Sequence, residues 1–324
     1  MKKWAFILGG ILGCGTSLLE NGASIHAQFL KAGDTIAIIS PSSATDTATI
    51  NGGCRTLQSW GFKTIVGANA LNNYHGFAGT IEERKADLMW ALREPSIKAV
   101  MSSRGGDGAA HLLVGLPLDS LRKYPKLIIG FSDITALLCA EARANNMGIH
   151  GSMCYALKTY AGNDTVSQTL KRMLIGELPT YDIAPHPLNI KGKAKGVVVG
   201  GNFSVFNDLA GSDYDPLLLP NILLFIEDTD ESMTKVDRML HNMEIRGLLK
   251  NIRGIIVGQF TKYKHPENDF NDMYHMLNEY MRHYNIPVCY DVPVGHAHLR
   301  NFPLLTGATA TLDVSEDGVK LQYE

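Results

Sequence analysis

The 324-residue chain reads as an α/β protein whose first half builds a parallel sheet with helices on both faces. Three observations point there. Short apolar runs such as 36–39, 99–101 and 127–129 have the composition of strands buried on both faces. Segments with helical apolar spacing alternate with them, in the order βαβαβαβα. Many of the 32 glycines fall just after the apolar runs, where strands end.

The first strand spans Gly33–Ile39 and leads into the loop Ser40-Pro-Ser-Ser43. Asp46–Trp60 reads as a helix, weakened by Gly52-Gly53. A second strand follows at Lys63–Val66. Thr80, with Glu83 three residues on, forms a capping box. The helix behind it should bury Ile81, Leu88, Ala91 and Leu92, and Pro95 follows its end. Lys98–Met101 is the third strand, followed by the loop Arg104-Gly-Gly-Asp-Gly108. Leu127–Ile129 is the fourth; it ends at Gly130 and turns into a helix marked by Ile134, Leu137, Leu138 and Ala142. A short strand before His150-Gly-Ser-Met153 and a helix over Asp164–Ile175 close this half. In such sheets ligands sit beyond the strand C-termini. The loops 40–43, 104–108 and 130–133 are therefore expected to gather there.

Residues 176–195 change character, with prolines at 179, 185 and 187 and lysines at 191, 193 and 195. They read as an irregular linker between one domain of residues 28–175 and a second of residues 196–324. The second unit offers strands at Gly196–Val199, Ile222–Ile226, Ile255–Val257 and Val288–Asp291. Gly200-Gly-Asn-Phe-Ser204 turns into a helix ending near Gly211, and longer helices cover Met233–Leu248 and Asn268–Tyr284. Ala308–Asp313 and Val319–Tyr323 alternate as a hairpin across Glu316-Asp-Gly318.

The bulk composition, 45% hydrophobic and 19% charged, is globular, and a net charge of −2 offers no nucleic-acid surface. Lys2-Lys3, the apolar stretch Trp4–Leu19 and the small residues before Gln28 read as a secretory signal over residues 1–27, too interrupted for a membrane span. An exported, periplasmic protein is the expectation. Ile11-Leu-Gly-Cys14 also resembles a lipoprotein box, with a lipid anchor on Cys14 as the alternative, although Leu12 fits it poorly. Of Cys14, Cys54, Cys139, Cys154 and Cys289, none has C-x-x-C spacing, and Cys139 is expected as buried packing. His150, His296 and His298 are not in a zinc spacing, so no metal is expected.

Ser132 sits in the turn from the fourth strand to its helix. It can cap that helix, or it can be a nucleophile beside backbone donors for an oxyanion, with Asp133 in the first turn. Glu227 ends an apolar strand and must be paired, with Lys235 or Arg238 as local partners. His296 follows Pro293-Val-Gly295. A serine nucleophile needs such a base and such an orienting carboxylate, but each residue alone has an ordinary structural explanation. Ser42 and Ser103 at strand ends read as turn serines.

Several ordered motifs add a resemblance to these readings. Gly33-Asp-Thr-Ile-Ala-Ile-Ile-Ser-Pro-Ser42, Arg104-Gly-Gly-Asp-Gly108, Ile129-Gly-Phe-Ser-Asp-Ile-Thr135, His150-Gly-Ser-Met153, Gly200-Gly-Asn202, Leu224-Phe-Ile-Glu-Asp228 with Asp237-Arg238, and Pro293-Val-Gly-His296 occur in this order. From about Leu30 to its end the chain resembles the LD-carboxypeptidase family of serine peptidases, which includes the microcin C immunity peptidases. The resemblance implies an N-terminal Rossmann-like domain of flavodoxin or glutamine-amidotransferase type and a C-terminal α/β swivelling domain. It implies a Ser-His-Glu triad of Ser132, His296 and Glu227, with backbone N–H groups of Asp133 and Gly106 as oxyanion donors and the site at the domain interface. Arg104 is the candidate for binding substrate carboxylate, with Arg300 a weaker one. Asp107 stands where the family's glycine loop usually carries an aromatic, so it is placed on the substrate side. The family cleaves terminal D-Ala from the murein stem tetrapeptide L-Ala-γ-D-Glu-meso-diaminopimelate-D-Ala, uses no cofactor and is commonly a homodimer. Rival readings are a microcin-immunity-type amidase acting on acyl-nucleotide conjugates and a non-catalytic muropeptide-binding protein.

Overall fold

The computed structural model describes residues 27–264, 270–297 and 299–324. The expected signal up to residue 26, Cys14, Asn268 and His298 lie outside the described residues. The first half runs β1 (Thr35–Ile39), α1 (Thr47–Ser59), β2 (Lys63–Val66), α2 (Ile81–Arg93), β3 (Ile97–Ser102), α3 (Leu118–Lys123), β4 (Leu127–Gly130), α4 (Thr135–Arg143), β5 (Gly148–His150), α5 (Cys154–Tyr160) and α6 (Thr165–Leu174). The second runs β6 (Thr180–Ile183), β7 (Gly192–Asn202), α7 (Phe203–Asn207), β8 (Ile222–Thr229), α8 (Met233–Ile245), β9 (Ile252–Thr261), α9 (Met273–Met281), β10 (Val288–Cys289), β11 (Leu304–Thr306), β12 (Thr309–Val314) and β13 (Val319–Tyr323).

Two sheets result. The first has the order β11-β5-β4-β3-β1-β2, parallel from β2 to β5. The second has the order β10-β9-β8-β7-β12-β13-β6, parallel from β10 to β7 and antiparallel beyond. Ile36 to Ile39 and Leu127 to Gly130 are buried throughout, because helices cover both faces of the first sheet. The capping box holds: Thr80 Oγ1 accepts from Glu83 N–H at 3.2 Å, and Glu83 Oε2 from Thr80 N–H at 2.8 Å. The hydrophobic core is continuous between the sheets, one cluster containing Ile39, Val100 and Ile134 together with Val199, Leu224 and Ile226. At the join, Thr135 at the start of α4 accepts the Asn202 N–H at 3.0 Å.

Several expectations are corrected. The helix α1 continues through Gly52-Gly53, because α5 packs there without room for side chains. A Cβ on Gly53 would lie 2.5 Å from Cys154 Sγ, and one on Gly52 2.5 Å from Lys158 Cβ. Ile81 is 42% exposed, since it is the first residue of α2, while Arg84 and Asp87 join Leu88, Ala91 and Leu92 on the buried face. The linker 176–195 is not wholly irregular: Thr180–Ile183 form the edge strand β6 on β13, and β7 begins at Gly192. Leu304–Thr306, from the second half of the chain, add an antiparallel strand to the first sheet beside β5. Helix α5 was not foreseen, and α9 starts only at Met273. Cys139, Cys154 and Cys289 are buried, Cys54 is partly so, and all four are free thiols. Among the described residues no helix is long and apolar enough to cross a membrane.

Candidate active site

Strand β4 ends at Gly130, over which the Ile134 side chain folds; a Cβ there would lie 2.8 Å from it. Two residues on, Ser132 has φ +62°, a left-handed conformation that costs a residue with a Cβ about 1–3 kcal/mol and that collects at functional turns. The cap positions of the short helical turn 132–134 and of α4 fall on Phe131 and Ile134, and neither side chain makes a capping bond. Ser132 is therefore not the N-cap that its sequence position also allowed.

Glu227, in β8, is fully buried, and its Oε2 lies 2.6 Å from His296 Nδ1. Its Oε1 has no partner among the described residues. The local partners offered by the sequence are not used; Lys235 pairs with Glu231 instead. The approach of the His296 loop depends on Gly295 (φ +135°), where a Cβ would stand 3.0 Å from Glu227 Oε2. Burial disfavours the His296 imidazolium, but the charge and hydrogen bond of Glu227, with help from Asp228, raise its pKa above the ordinary value. Asp228 is itself pushed up to about 6 by burial and by the adjacent Glu227. Its carboxylate accepts from Asn202 Nδ2 at 2.9 Å and from the N–H groups of Ser204 and Thr229.

Behind His296 lies a second, fully buried histidine. His150 is pushed down to about 3 by burial and by His296, so it stays neutral. Its Nε2 is 3.2 Å from Asn301 Oδ1, which also accepts the Gly295 N–H at 3.0 Å. Asn301 thus ties the His296 loop to the end of β5. Sequence reasoning missed it, because a lone asparagine in a loop carries no periodic signal.

Ser132 and His296 line one cavity of about 330 Å³, together with Arg104, Gly105, Gly106 and Tyr155. Gly105 lies against the serine, with a Cβ there 3.1 Å from Ser132 Cβ. Gly106 has φ +116° and packs on Ser43. The exposed Arg104 guanidinium makes one long contact to the Ala44 carbonyl (3.4 Å) and has no carboxylate partner among the described residues. Asp107 is exposed and is not among the residues that line the cavity, and its N–H bonds Ser43 Oγ at 3.1 Å. Arg300 is also outside the cavity, paired with Asp291 at 3.0 Å. Ser42 and Ser103 bond side chains rather than turn backbone, Ser42 donating to Asp133 Oδ2 at 2.5 Å and Ser103 meeting Ser40 Oγ at 2.7 Å. Tyr155 was missed with α5. No group of His, Cys, Asp or Glu among the described residues could hold a metal ion.

The three loops thus meet at the C-terminal edge of the first sheet, and the second sheet brings an imidazole and a buried carboxylate to them. Comparison with known proteins agrees with this arrangement. Residues 36–151 match the LD-carboxypeptidase N-terminal domain, and residues 195–312 the LD-carboxypeptidase C-terminal domain. The murein tetrapeptide carboxypeptidase of Pseudomonas aeruginosa is 30% identical over 291 residues, 86% of this chain and 92% of that protein. The microcin C7 self-immunity protein MccF of Escherichia coli is 27% identical over 329 residues, 90% and 94% of the two chains. The crystal structure of muramoyltetrapeptide carboxypeptidase from Oxalobacter formigenes superposes with a TM-score of 0.80 at 26% identity, covering 89% of this chain and 98% of that one. The chain belongs to the LD-carboxypeptidase family and is a serine-type carboxypeptidase.

Proposed function

We propose that the protein releases terminal D-Ala from murein stem tetrapeptides by a Ser132–His296–Glu227 triad. The observation that carries this reading is the 2.6 Å contact between buried Glu227 and His296 Nδ1, with His296 lining the same cavity as the strained Ser132. With the Nδ1 proton donated to Glu227, Nε2 is left as the base. Ser132 Oγ attacks the carbonyl of the third stem residue while His296 Nε2 takes its proton. The backbone N–H groups of Asp133 and Gly106 receive the oxyanion. The same proton then passes to the D-Ala nitrogen, the C–N bond breaks, and water hydrolyses the acyl-enzyme by the reverse proton path. Arg104 faces the D-Ala carboxylate; its support is an exposed guanidinium on the cavity wall with no carboxylate partner among the described residues. The basic and apolar leader of residues 1–27 supports action on murein outside the cytoplasm.

The test is incubation with L-Ala-γ-D-Glu-meso-diaminopimelyl-D-Ala, read by mass spectrometry, with Ser132→Ala alongside. Loss of one D-Ala with the wild type alone, unaffected by chelators, supports the reading. Release by both proteins refutes the nucleophile, and tight binding with no release favours a muropeptide-binding protein.

A further inference from the structure

The oxyanion loop is held from beneath by a buried cation that the proposed reaction does not use. Arg84, in the first turn of α2, is only 2% exposed. Its guanidinium donates to three main-chain carbonyls on three loops: Nη1 to Pro41 O at 2.7 Å and Gly108 O at 2.8 Å, and Nε to Gly79 O at 3.2 Å. Nη2 lies 3.3 Å from His111 Nδ1, and the Phe77 ring covers the group at 5.1 Å. Gly108 allows the approach, since a Cβ there would stand 2.7 Å from Nη1. No carboxylate forms an ion pair with Arg84 among the described residues, although the charge of Asp133 acts on it.

Asp133 completes the arrangement from the other side. Its Oδ2 accepts the Ser42 hydroxyl at 2.5 Å and the Ala109 N–H at 2.8 Å. Asp133 thus fastens both the 40–43 loop and the 105–109 loop to the turn that carries Ser132, and Arg84 ties the same two loops to each other and to α2. Between these fastenings stands Gly106, whose neighbour Asp107 donates its N–H to Ser43 Oγ at 3.1 Å. A planar guanidinium fits several carbonyls at once; an ammonium is a point charge on a flexible stem.

We infer that Arg84 is a positioning residue, which fixes the Gly106 N–H where the oxyanion develops. It acts through the 40–43 and 105–109 loops and touches no substrate. This rests on the proposed role of Ser132 and Gly106. Loss of one oxyanion donor costs about 10²–10³ in kcat, and a displaced donor retains part of that, so Arg84→Lys should lower kcat about 10- to 100-fold. KM should stay within about twofold, because the ground-state carbonyl gains little from the donor. The acid limb of the pH profile, set by His296, should not move.

The experiment compares wild type, Arg84→Lys and the milder Ser43→Ala, which removes only the Asp107 N–H bond. Each is assayed for D-Ala release and for labelling by an alkyl fluorophosphonate, which reports Ser132 without requiring the stem peptide. The expected result is full labelling stoichiometry at a reduced rate in both variants, with Ser43→Ala the smaller effect, and a matching fall in kcat. Stoichiometry falling in step with activity, at wild-type kcat per labelled serine, would mean that Arg84 only stabilises the fold and overturns the inference. So would wild-type labelling rates in Ser43→Ala, or a fall in affinity with kcat unchanged. If the wild type itself neither labels at Ser132 nor releases D-Ala, the proposed function fails first.

Discussion

Glu227→Gln tests the centre of the proposed site with almost no change of shape. In the protein, Oε2 receives His296 Nδ1 at 2.6 Å while Oε1 has no partner among the described residues. Nothing but the imidazole therefore decides which way a glutamine amide would face. With its oxygen toward His296 it keeps the useful tautomer but loses the charge. With its nitrogen there, Nδ1 must accept and Nε2 carries the proton, which removes the base. A hydrogen bond to a charged group contributes about 1.5–3 kcal/mol, or about 10- to 150-fold in rate. The tautomer loss adds to this, and a fall in kcat of about 10²–10⁴ is expected. The pH profile supplies an independent sign. Glu227 holds the His296 pKa up against burial, so in the wild type activity should rise as pH climbs through a pKa raised from the ordinary histidine value. In Glu227→Gln burial is less opposed and the acid limb should move to lower pH. Stability follows the same linkage: the wild-type pair contributes fully below the unfolded histidine pKa and is lost as pH rises through the raised one. The assay is kcat/KM for D-Ala release between pH 5 and 9 (a range set about the reference pKa of about 6.5), with thermal unfolding over the same range. An acid limb that stays put or moves upward, or an unchanged kcat, would refute the reasoning.

Three further outcomes are expected. Arg104→Gln should raise KM for the tetrapeptide with little change in kcat, and the penalty should vanish on a substrate whose terminal carboxylate is amidated; equal penalties on both would remove Arg104 from carboxylate binding. Gly295→Ala combines a strained φ of +135° with a Cβ 3.0 Å from Glu227 Oε2, so it should cost about 1–3 kcal/mol in denaturant unfolding and more than tenfold in kcat. Gly53→Ala would place its Cβ 2.5 Å from Cys154 Sγ, and a drop of about 1–3 kcal/mol in unfolding free energy with normal KM in the surviving protein would show that the glycine pair serves the α1–α5 contact.

Elements whose burial is uniform along the chain are legible in the sequence. Strand β1, strand β4 and the Thr80–Glu83 cap announce themselves because burial on both faces, or a reciprocal side-chain bond three residues apart, leaves a local pattern. Elements defined by a distant partner did not. The run Leu304–Thr306 is only three residues long, and its place beside β5, about 150 residues upstream in the chain, has no local trace. Thr180–Ile183 hid among prolines, and Arg84 sat on a helix face that apolar periodicity assigns to the core.

The candidate site divides the same way. Residue order alone nominates Ser132, Glu227 and His296 as candidates through the family's motifs, since side-chain chemistry and spacing are written in the chain. Whether Ser132 caps or faces a cavity, whether Glu227 meets Lys235 or His296, and whether Asp107 reaches the pocket were decided only by the tertiary structure. Those outcomes depend on backbone dihedrals and on contacts between two sheets, which arise from packing the whole core and not from any stretch of neighbouring residues.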